Sequence, residues 1–247
     1  MAAAWRVCTV SILIRDGVLR LVTNRDEQHT RAAAQAPVVH SHNGVRCCYP
    51  VDPASGGTWV GANAHGIVAT LLNGNPPWSY EPDLRRSRGE LVPAVLGCAT
   101  RDAVVELINA QEWASFPPCR LVVAIAHEAL VWTWDGRTSA FNQQAAHGAL
   151  FSSSGLGDEL VQSPRAKLWA DWFSAGADPF AEQDAFHAHS WPERGAESVC
   201  MRRDDACTVS STTIAVSDLS VDLHYHPAPP DETADGVLVQ LPRVVCP

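Results

Sequence analysis

Tight turn signals between β-rich segments constrain the fold of this chain more than any other feature. Asp16-Gly17 and Asn43-Gly44 favour two-residue hairpin turns, and each separates two runs rich in β-branched or alternating apolar residues. Ala64-His65-Gly66 interrupts a third pair of runs, with glycine where a positive φ is expected. The predicted strands beside these turns are residues 8–14, 19–23, 38–42, 45–49, 58–63 and 67–72. The first third of the chain therefore predicts a meander of antiparallel hairpins.

Two blocks of helix signals follow at separate places in the chain. Ser87-Arg88-Gly89-Glu90 has the Ser-x-x-Glu form of a capping box before an apolar run, and residues 100–113 carry apolar positions one turn apart. Ser163-Pro164 and Asp178-Pro179 each place a capping residue before a proline, so helices are predicted from there to about Ser174 and about Ala188.

Further strands are predicted around the second helical block, at residues 120–126, 130–134, 208–216, 221–225 and 236–241. The order is then strands, two helices, strands, two helices, strands, with short antiparallel connections in place of alternating strand-helix units. No linker, internal repeat or low-complexity segment divides the sequence. These patterns predict an α+β layered sandwich in a single domain.

Composition excludes several classes of partner and location. A formal net charge of -9 and the absence of a basic run argue against nucleic-acid binding. The sequence contains no apolar stretch long enough for a membrane span and no signal-peptide pattern. Its eight cysteines form no Cys-x-x-Cys pair or regular framework, which predicts free thiols in a reducing cytoplasm. A single lysine, Lys167, and abundant alanine suggest a GC-rich, bacterial coding sequence.

Histidines and tryptophans offer further candidate sites, for which a structural role is the preferred interpretation. The three His-x-His pairs, at His40/His42, His187/His189 and His224/His226, lack a third ligand at a telling spacing, so we predict neither a metal site nor a cofactor. Five tryptophans fit strand or helix faces and are expected in the core: Trp59, Trp132, Trp134, Trp169 and Trp172.

Cys8 is the residue whose context points most clearly to chemistry. On a first strand, a cysteine is ordinarily a packed core thiol. Some hydrolases, however, use an N-terminal Cys, Ser or Thr whose own α-amino group is the general base for the side chain. Such a cysteine must become the first residue of the working protein.

Several segments together resemble one protein family. These segments are, in order, Cys8-Thr9-Val10, Asn24-Arg25-Asp26-Glu27, Gly56-Gly57-Thr58-Trp59-Val60-Gly61, Asn73, Arg88-Gly89-Glu90-Leu91 and Ser211-Thr212-Thr213-Ile214. Together they span nearly the whole chain and resemble the Transport and Golgi organization 2 family, also called the NRDE family. That family in turn resembles the N-terminal nucleophile hydrolases, in particular cysteine acylases such as bile salt hydrolase and penicillin V acylase. The resemblance implies a four-layer αββα sandwich.

The same resemblance implies roles for individual residues. Cys8 matches the nucleophile, Asp26 the carboxylate that orients the new amino terminus, and Asn73 an oxyanion-hole side chain. Arg25 matches a neighbouring active-site arginine. Where the acylases carry an active-site asparagine, this chain has Ser152-Ser153-Ser154, and Ser154 is the expected substitute. Asn73 has an alternative interpretation as a turn residue before Gly74.

The position of Cys8 differs from the family, in which the cysteine directly follows the initiator methionine. Seven residues precede Cys8 here, so residues 1–7 are interpreted as a leader that is lost, or as the product of a misassigned start. A GTG codon at Val7 would give Met-Cys-Thr-Val, and removal of that methionine would expose Cys8. Residues 8–247 then form the single domain.

Three hypotheses of function remain open from the sequence. The first is a cysteine N-terminal nucleophile amidohydrolase or acyltransferase that acts on an amide or thioester of a small acyl substrate. The second is a non-catalytic carrier or trafficking factor that binds haem, a lipid or an acyl-CoA, since eukaryotic family members are linked to secretory organisation, haem handling and lipid metabolism. A metal-dependent hydrolase is the third, and it would require stoichiometric metal.

Overall fold

A computed structural model describes residues 8–76, 78, 86–155, 157–173 and 178–244. The predicted leader, residues 1–7, lies outside this range, as does the predicted helix end near Ser174.

Thirteen strands and four α-helices are formed by the described residues. In chain order the strands are β1 Cys8–Arg15, β2 Val18–Gln28, β3 Gln35–His42, β4 Val45–Val51, β5 Val60–Asn63, β6 Val68–Asn73, β7 Cys119–Ile125, β8 Glu128–Trp134, β9 Ser139–Ala145, β10 Ala149–Ser153, β11 Ala206–Val216, β12 Ser220–His226 and β13 Val237–Pro242. The helices are α1 Leu91–Leu96, α2 Arg101–Asn109, α3 Asp158–Phe173 and α4 Pro179–Ala188.

The strands build two antiparallel sheets. One has six strands in the order β10-β1-β2-β11-β12-β13, and the other has seven in the order β3-β4-β5-β6-β7-β8-β9. The long strand β11 pairs with β2, which brings a segment near the carboxyl end of the chain beside the first hairpin.

Three apolar clusters define the layers of the fold. The largest lies between the two sheets and includes Val10, Ile12 and Val122. A second joins α1 and α2 to the outer face of the seven-stranded sheet. The third joins α3 and α4 to the outer face of the six-stranded sheet, through Trp169 and Phe186. This is a four-layer αββα sandwich, and the predicted fold class is confirmed.

Local turn and capping signals have the predicted structures. Both residues of Asp16-Gly17 and of Asn43-Gly44 have positive φ, which joins adjacent antiparallel strands with the twist that such hairpins require. The Ser87 hydroxyl accepts from the backbone N–H of Gly89, and the Glu90 carboxylate accepts from the backbone N–H of Ser87. This capping box begins a single 3-10 turn that leads directly into α1.

The predicted start of the third helix is wrong. Pro164 lies inside α3, which begins six residues earlier, at Asp158. A proline at this position leaves the carbonyl of residue 160 without its helical partner, but Leu160 is 48% exposed, so water can reach that group. Exposure of this turn lowers the cost of the missing hydrogen bond, so a proline here need not mark the start of a helix.

Two strands were not predicted from the sequence. Every residue of β9 is exposed, so this edge strand has no alternation of apolar and polar residues to mark it. Strand β10 has only five residues. Both occupy positions set by pairing with distant strands, because β9 pairs with β8 and β10 with β1.

Candidate active site

The first hairpin sets Cys8 directly opposite Arg25. The two residues are register partners in the β1–β2 pair, so their side chains lie on the same face of the six-stranded sheet. That face looks toward the other sheet, because Cys8 belongs to the apolar cluster between the sheets. Cys8 is 8% exposed, and the backbone N–H of Asp26 donates to its sulfur.

One cavity of about 210 Å³ brings together most of the predicted site. Cys8, Arg25, Asp26 and Asn73 all line it. The other lining residues come from both sheets and from the segments that follow them: Glu27, Arg31, Asp52, Ser55, Thr58, Trp59, Leu71, Ser87, Arg88, Gly89 and Pro117. The cavity combines charged groups with the apolar faces of Trp59, Leu71 and Pro117.

Arg25 is held from three sides. Its guanidinium lies over the indole ring of Trp59, with the central carbon 4.5 Å from the ring centroid. Its Nη2 lies 3.4 Å from an oxygen of Glu27 and 3.9 Å from an oxygen of Asp52. Because Trp59 and Asp52 belong to the opposite sheet or its loops, these contacts connect the two sheets beside Cys8.

A second arginine completes this charge network. Arg31 donates a short hydrogen bond to Asp52, and its Nε lies 3.3 Å from Glu27. Although burial opposes it, the hydrogen bond from Arg31 keeps the pKa of Asp52 below its ordinary value. The positive charges of two arginines therefore lie beside two carboxylates along this wall of the cavity.

Asp26 lies in a distinct, buried environment. Thr208, its register partner on β11, donates a hydrogen bond to Oδ1, whereas Oδ2 finds no hydrogen-bond partner among the described residues. Burial raises the pKa of Asp26 to about 7, against the lowering effects of Arg165 and Thr208. Asp26 therefore has one buried oxygen available for a hydrogen-bond donor.

Burial and the negative charge of Asp26 raise the pKa of the Cys8 thiol to about 12. The Arg25 charge and the N–H of Asp26 act in the opposite direction. With such a pKa, Cys8 is almost entirely a neutral thiol near pH 7, so reaction at its sulfur requires a base to remove the proton and groups that stabilise the anion.

Asn73 is the last residue of β6, where it is half-buried at the cavity wall. Just beyond it, Gly74 donates its N–H to the carbonyl of Pro118, and a Cβ on Gly74 would lie 2.9 Å from the backbone nitrogen of Cys119, so the chain passes close to the start of β7. From this position the Asn73 amide is able to donate a hydrogen bond to a ligand in the cavity.

Ser154 is placed differently from the other four candidates. It is fully buried just after β10, and its backbone N–H donates to Asp158 at the start of α3 over 2.7 Å. The cross-strand partner of Cys8 is instead the preceding residue, Ser153.

Several residues at or beside the cavity were not identified from the sequence. Neither Asp52 nor Thr208 has a local signal in the sequence. Asp52 contacts Arg31 through a long-range loop contact, and Thr208 reaches Asp26 through the pairing of β11 with β2. Arg165 is a fully buried guanidinium that donates to the Thr9 hydroxyl and to two backbone carbonyls. Arg31 likewise had no reliable local signal, because a spacing of four residues brings side chains together on a helix, whereas residues 27–31 pass from β2 into a turn.

Most of the tryptophans expected in the core are buried, and one His-x-His pair stacks on a tyrosine. Four of the five tryptophans are buried, and Trp59 also lines the cavity; Trp172 is half-buried against the third cluster. His40 and His42 stack with the ring of Tyr49. Within the described ranges, no three His, Cys, Asp or Glu side chains lie together as a metal site would require.

His187 has a buried structural role. Its Nε2 lies 2.7 Å from the hydroxyl of Ser11, and its Nδ1 lies 3.1 Å from the amide oxygen of Asn24. The Asn24 amide also donates to the carbonyls of His187 and Val199. Burial lowers the pKa of His187 to about 3, so this residue is a neutral link between α4 and the sheet.

Comparison with known families identifies the chain. The family model described as Transport and Golgi organisation 2 matches residues 15–174, which include Arg25, Asp26 and Asn73. The chain belongs to the Transport and Golgi organisation 2 family. The prediction from the ordered motifs is thereby confirmed. The chain has no significant match among curated protein sequences.

Several solved structures of N-terminal nucleophile hydrolases have a similar fold. Penicillin V acylase from Agrobacterium tumefaciens superimposes with a TM-score of 0.57 at 12% identity, over 95% of this chain and 86% of that one. A conjugated bile acid hydrolase from Clostridium perfringens, in its C2A mutant form, gives 0.57 at 11% identity, over 95% and 92%. An N-acylethanolamine-hydrolyzing acid amidase orthologue from Caenorhabditis elegans gives 0.55 at 15% identity, over 84% and 92%.

No helix in the described part of this family member is both long and apolar enough to cross a bilayer.

Proposed function

We propose that this member of the Transport and Golgi organisation 2 family is a cysteine amidohydrolase or acyltransferase of the N-terminal nucleophile type. The observation that carries the proposal is the convergence of Cys8, Arg25, Asp26 and Asn73 on one cavity. The hydrolase fold shared with the acylases supports the same class of chemistry. Its substrate is an amide or thioester of a small acyl group.

The first step requires a base close to the sulfur. If Cys8 is the first residue of the working protein, its α-amine, with an ordinary pKa of about 7.7 to 8.0, takes the thiol proton. The resulting ammonium group finds an acceptor in the buried, unpartnered Oδ2 of Asp26. This pairing stabilises the protonated base while the sulfur is negatively charged.

The thiolate then attacks the carbonyl carbon of the substrate. A sulfur–carbon bond forms, the carbonyl π electrons move to oxygen, and the amide N–H of Asn73 together with a backbone N–H stabilises the oxyanion. Collapse of this intermediate expels the amine or thiol, which takes the proton from the ammonium of Cys8. Water in a hydrolase, or an acceptor amine in a transferase, attacks the thioester and restores the free thiol.

Arg25 serves in this scheme as a fixed positive charge beside the sulfur. Its contacts with Trp59, Glu27 and Asp52 hold the guanidinium in place, so its charge needs no rearrangement when the thiolate forms. These contacts favour polarisation of the nucleophile over direct capture of a substrate carboxylate.

The mechanism needs a free amino group on Cys8. We therefore retain the proposal that residues 1–7 are removed, or that translation starts at Val7 and the methionine is cleaved. An intact peptide bond at Cys8 would leave an amide nitrogen, which has no useful basicity. The cytoplasmic, bacterial setting expected from the sequence would keep this thiol reduced.

Mass spectrometry after exposure to an acyl-thioester or β-lactone probe tests this function. The full 247-residue chain is compared with a chain in which one methionine precedes Cys8. We expect an acyl adduct on Cys8, with its α-amine free, and loss of the adduct in Cys8→Ala. Cys207→Ala is the matched control, because Cys207 is a partly exposed cysteine outside the cavity lining.

Two outcomes would overturn the proposal. The first is an adduct that forms equally in Cys8→Ala. The second is a protein that retains residues before Cys8 in its native host and is active in that form. Saturable binding of haem or acyl-CoA that is unaffected by Cys8→Ala, without turnover, would instead favour the carrier hypothesis.

A further inference from the structure

A row of polar residues crosses the inner face of the six-stranded sheet at the site. Ser153 on β10 is the register partner of Cys8 on β1, Cys8 is the partner of Arg25 on β2, and Arg25 is the partner of Ser210 on β11. Residues directly opposite in antiparallel strands share a face, with Cβ atoms about 4.5 to 5.5 Å apart. Cys8 therefore lies between a hydroxyl on one side and a guanidinium on the other.

The Ser153 hydroxyl is buried without a partner in the described part of the chain. Its residue is 1% exposed. A buried hydroxyl that makes no hydrogen bond is unfavourable, and such groups in native proteins require an explanation such as a ligand, a water or a catalytic role. Its position beside the candidate nucleophile supplies one.

The protonation state of Cys8 determines how strongly its sulfur can accept a hydrogen bond from this hydroxyl. The sulfur of a neutral thiol is a weak hydrogen-bond acceptor, whereas a thiolate is a charged and strong one. A rotation about the Cα–Cβ bond of Ser153 is enough to redirect its O–H toward a cross-strand neighbour at this separation. A strong hydrogen bond from the Ser153 hydroxyl to the sulfur is therefore expected when the sulfur is ionised.

We propose that Ser153 is a catalytic residue whose hydroxyl donates a hydrogen bond to the Cys8 sulfur when that sulfur is negatively charged. This inference rests on the proposed function, in which Cys8 is the nucleophile. It replaces Ser154 as the serine of this strand that acts on the site, because Ser154 follows the strand and its backbone is bound to Asp158.

The charged groups around Cys8 do not duplicate this role. From β2, Arg25 stabilises the thiolate, while Asp26 and Glu27 destabilise it. From α3, buried Arg165 acts electrostatically on Cys8, and its N–H groups are already bound to Thr9 and to backbone carbonyls. From β10, Ser153 is the register partner that offers an O–H donor.

The pH dependence of Cys8 alkylation by iodoacetamide tests the proposal directly. Peptide-level mass spectrometry follows Cys8 separately from the other cysteines, and no acyl substrate is needed. We expect Ser153→Ala to slow the alkylation of Cys8 about tenfold at each pH between about 7 and 9, as a thiol pKa about one unit higher would do. Over this range the thiolate is a small fraction of Cys8, so the alkylation rate is proportional to that fraction.

The neighbouring residue provides a matched control. Ser152 is also buried, and its hydroxyl likewise has no hydrogen-bond partner that the structure describes, but it pairs with Thr9 on the opposite face of the sheet. Ser152→Ala should leave the Cys8 profile unchanged. The isosteric pair Ser153→Thr and Ser153→Val repeats the comparison at nearly constant volume, with the wild-type alkylation rate expected only for threonine.

An unchanged Cys8 profile in both Ser153→Ala and Ser153→Val would overturn the assignment, as would equal shifts in Ser152→Ala and Ser153→Ala. A purely structural role for Ser153 predicts such an unchanged profile, with equal or greater stability on removal of the unpaired hydroxyl. Failure of the acyl-probe experiment together with a shifted alkylation profile would reject the proposed acyl chemistry while leaving the thiolate contact in place.

Discussion

Gly57 and Gly89 are in direct backbone contact at the edge of the cavity. A Cβ added to Gly57 would lie 2.7 Å from the Cα, C and O atoms of Gly89, and the carbonyl of Gly89 accepts from the N–H of Thr58. This contact joins the Gly-Gly-Thr-Trp and Arg-Gly-Glu-Leu segments, which are far apart in sequence. It also places Trp59, the platform under Arg25, beside the capping-box turn.

Gly57→Ala should therefore destabilise the protein more than Gly89→Ala. The Cβ of an alanine at residue 57 would lie 2.7 Å from backbone atoms of Gly89. In Gly89→Ala, the nearest atom to the new Cβ is the Cα of Gly57, at 3.1 Å. We expect Gly57→Ala to lower the free energy of unfolding by about 2 kcal/mol or more, as overpacking does. Urea denaturation of both variants checks the order, and equal losses would contradict the contact described here.

Asp26→Asn should remove a pH-dependent part of the stability. The pKa of Asp26 is about 7 in the folded protein and about 3.9 in an unfolded chain, so the folded state binds the extra proton between these values. The contribution of this group to the free energy of unfolding is complete below about pH 4 and is lost as the pH rises through about 7. The wild-type free energy of unfolding, relative to that of Asp26→Asn, should fall over this interval.

The pH at which Asp26 loses its stabilising effect should depend on whether Cys8 has a free amino group. A free ammonium group on Cys8 beside Oδ2 would lower the pKa of Asp26 and move the loss of stability to lower pH. Urea unfolding across pH 4 to 8 should consequently differ between the 247-residue chain and one that begins at Cys8. Identical profiles for the two chains would contradict a contact between the amino terminus and Asp26.

Asn24→Ala should lower the free energy of unfolding by about 3 kcal/mol. The substitution leaves the buried carbonyls of His187 and Val199 without the donor that Asn24 provides, and it leaves Nδ1 of His187 without an acceptor. Each unsatisfied buried polar group costs about 1 to 3 kcal/mol. Asn142→Ala, at an exposed position on β9, is the control and should change stability by less than about 0.5 kcal/mol.

Arg25→Lys should weaken the contact between the sheets although it conserves charge. A lysine ammonium cannot stack flat on Trp59 and face Glu27 and Asp52 at the same time. We expect a loss of about 1 to 2 kcal/mol in urea unfolding, together with slower acylation of Cys8 by the probe. Arg46→Lys, on an exposed side of β4, should match the wild type in both measurements.

Much of the backbone could be predicted because its signals are local. The Asp16-Gly17 and Asn43-Gly44 turns adopt their left-handed conformations from their own residue types, and the Ser87 capping box is formed within four residues. Strand β9 and the true start of α3 could not be predicted. An exposed edge strand lacks alternation, and the proline in α3 is tolerated because of solvent exposure, which depends on the tertiary arrangement.

In the candidate site, too, some residues could be predicted from local motifs and others could not. The motif order identified the family and singled out Cys8, Arg25, Asp26 and Asn73. The expected serine, Ser154, comes one residue after Ser153, which is the last residue of β10. Successive residues of a strand point to opposite faces, so only the pairing of β10 with β1 decides which serine faces Cys8.

The sequence by itself determined the turns, most of the strands, the layered α+β class and the residue types available for chemistry, since these depend on conformational preferences of neighbouring residues. Only the tertiary structure decided the environment of each group. Contacts between distant segments bury Asp26 and Cys8 and place Ser153 opposite Cys8. Such contacts also hold Arg25 against Trp59 and Asp52. Desolvation and hydrogen bonding act over a few ångströms in space, whatever the separation along the chain.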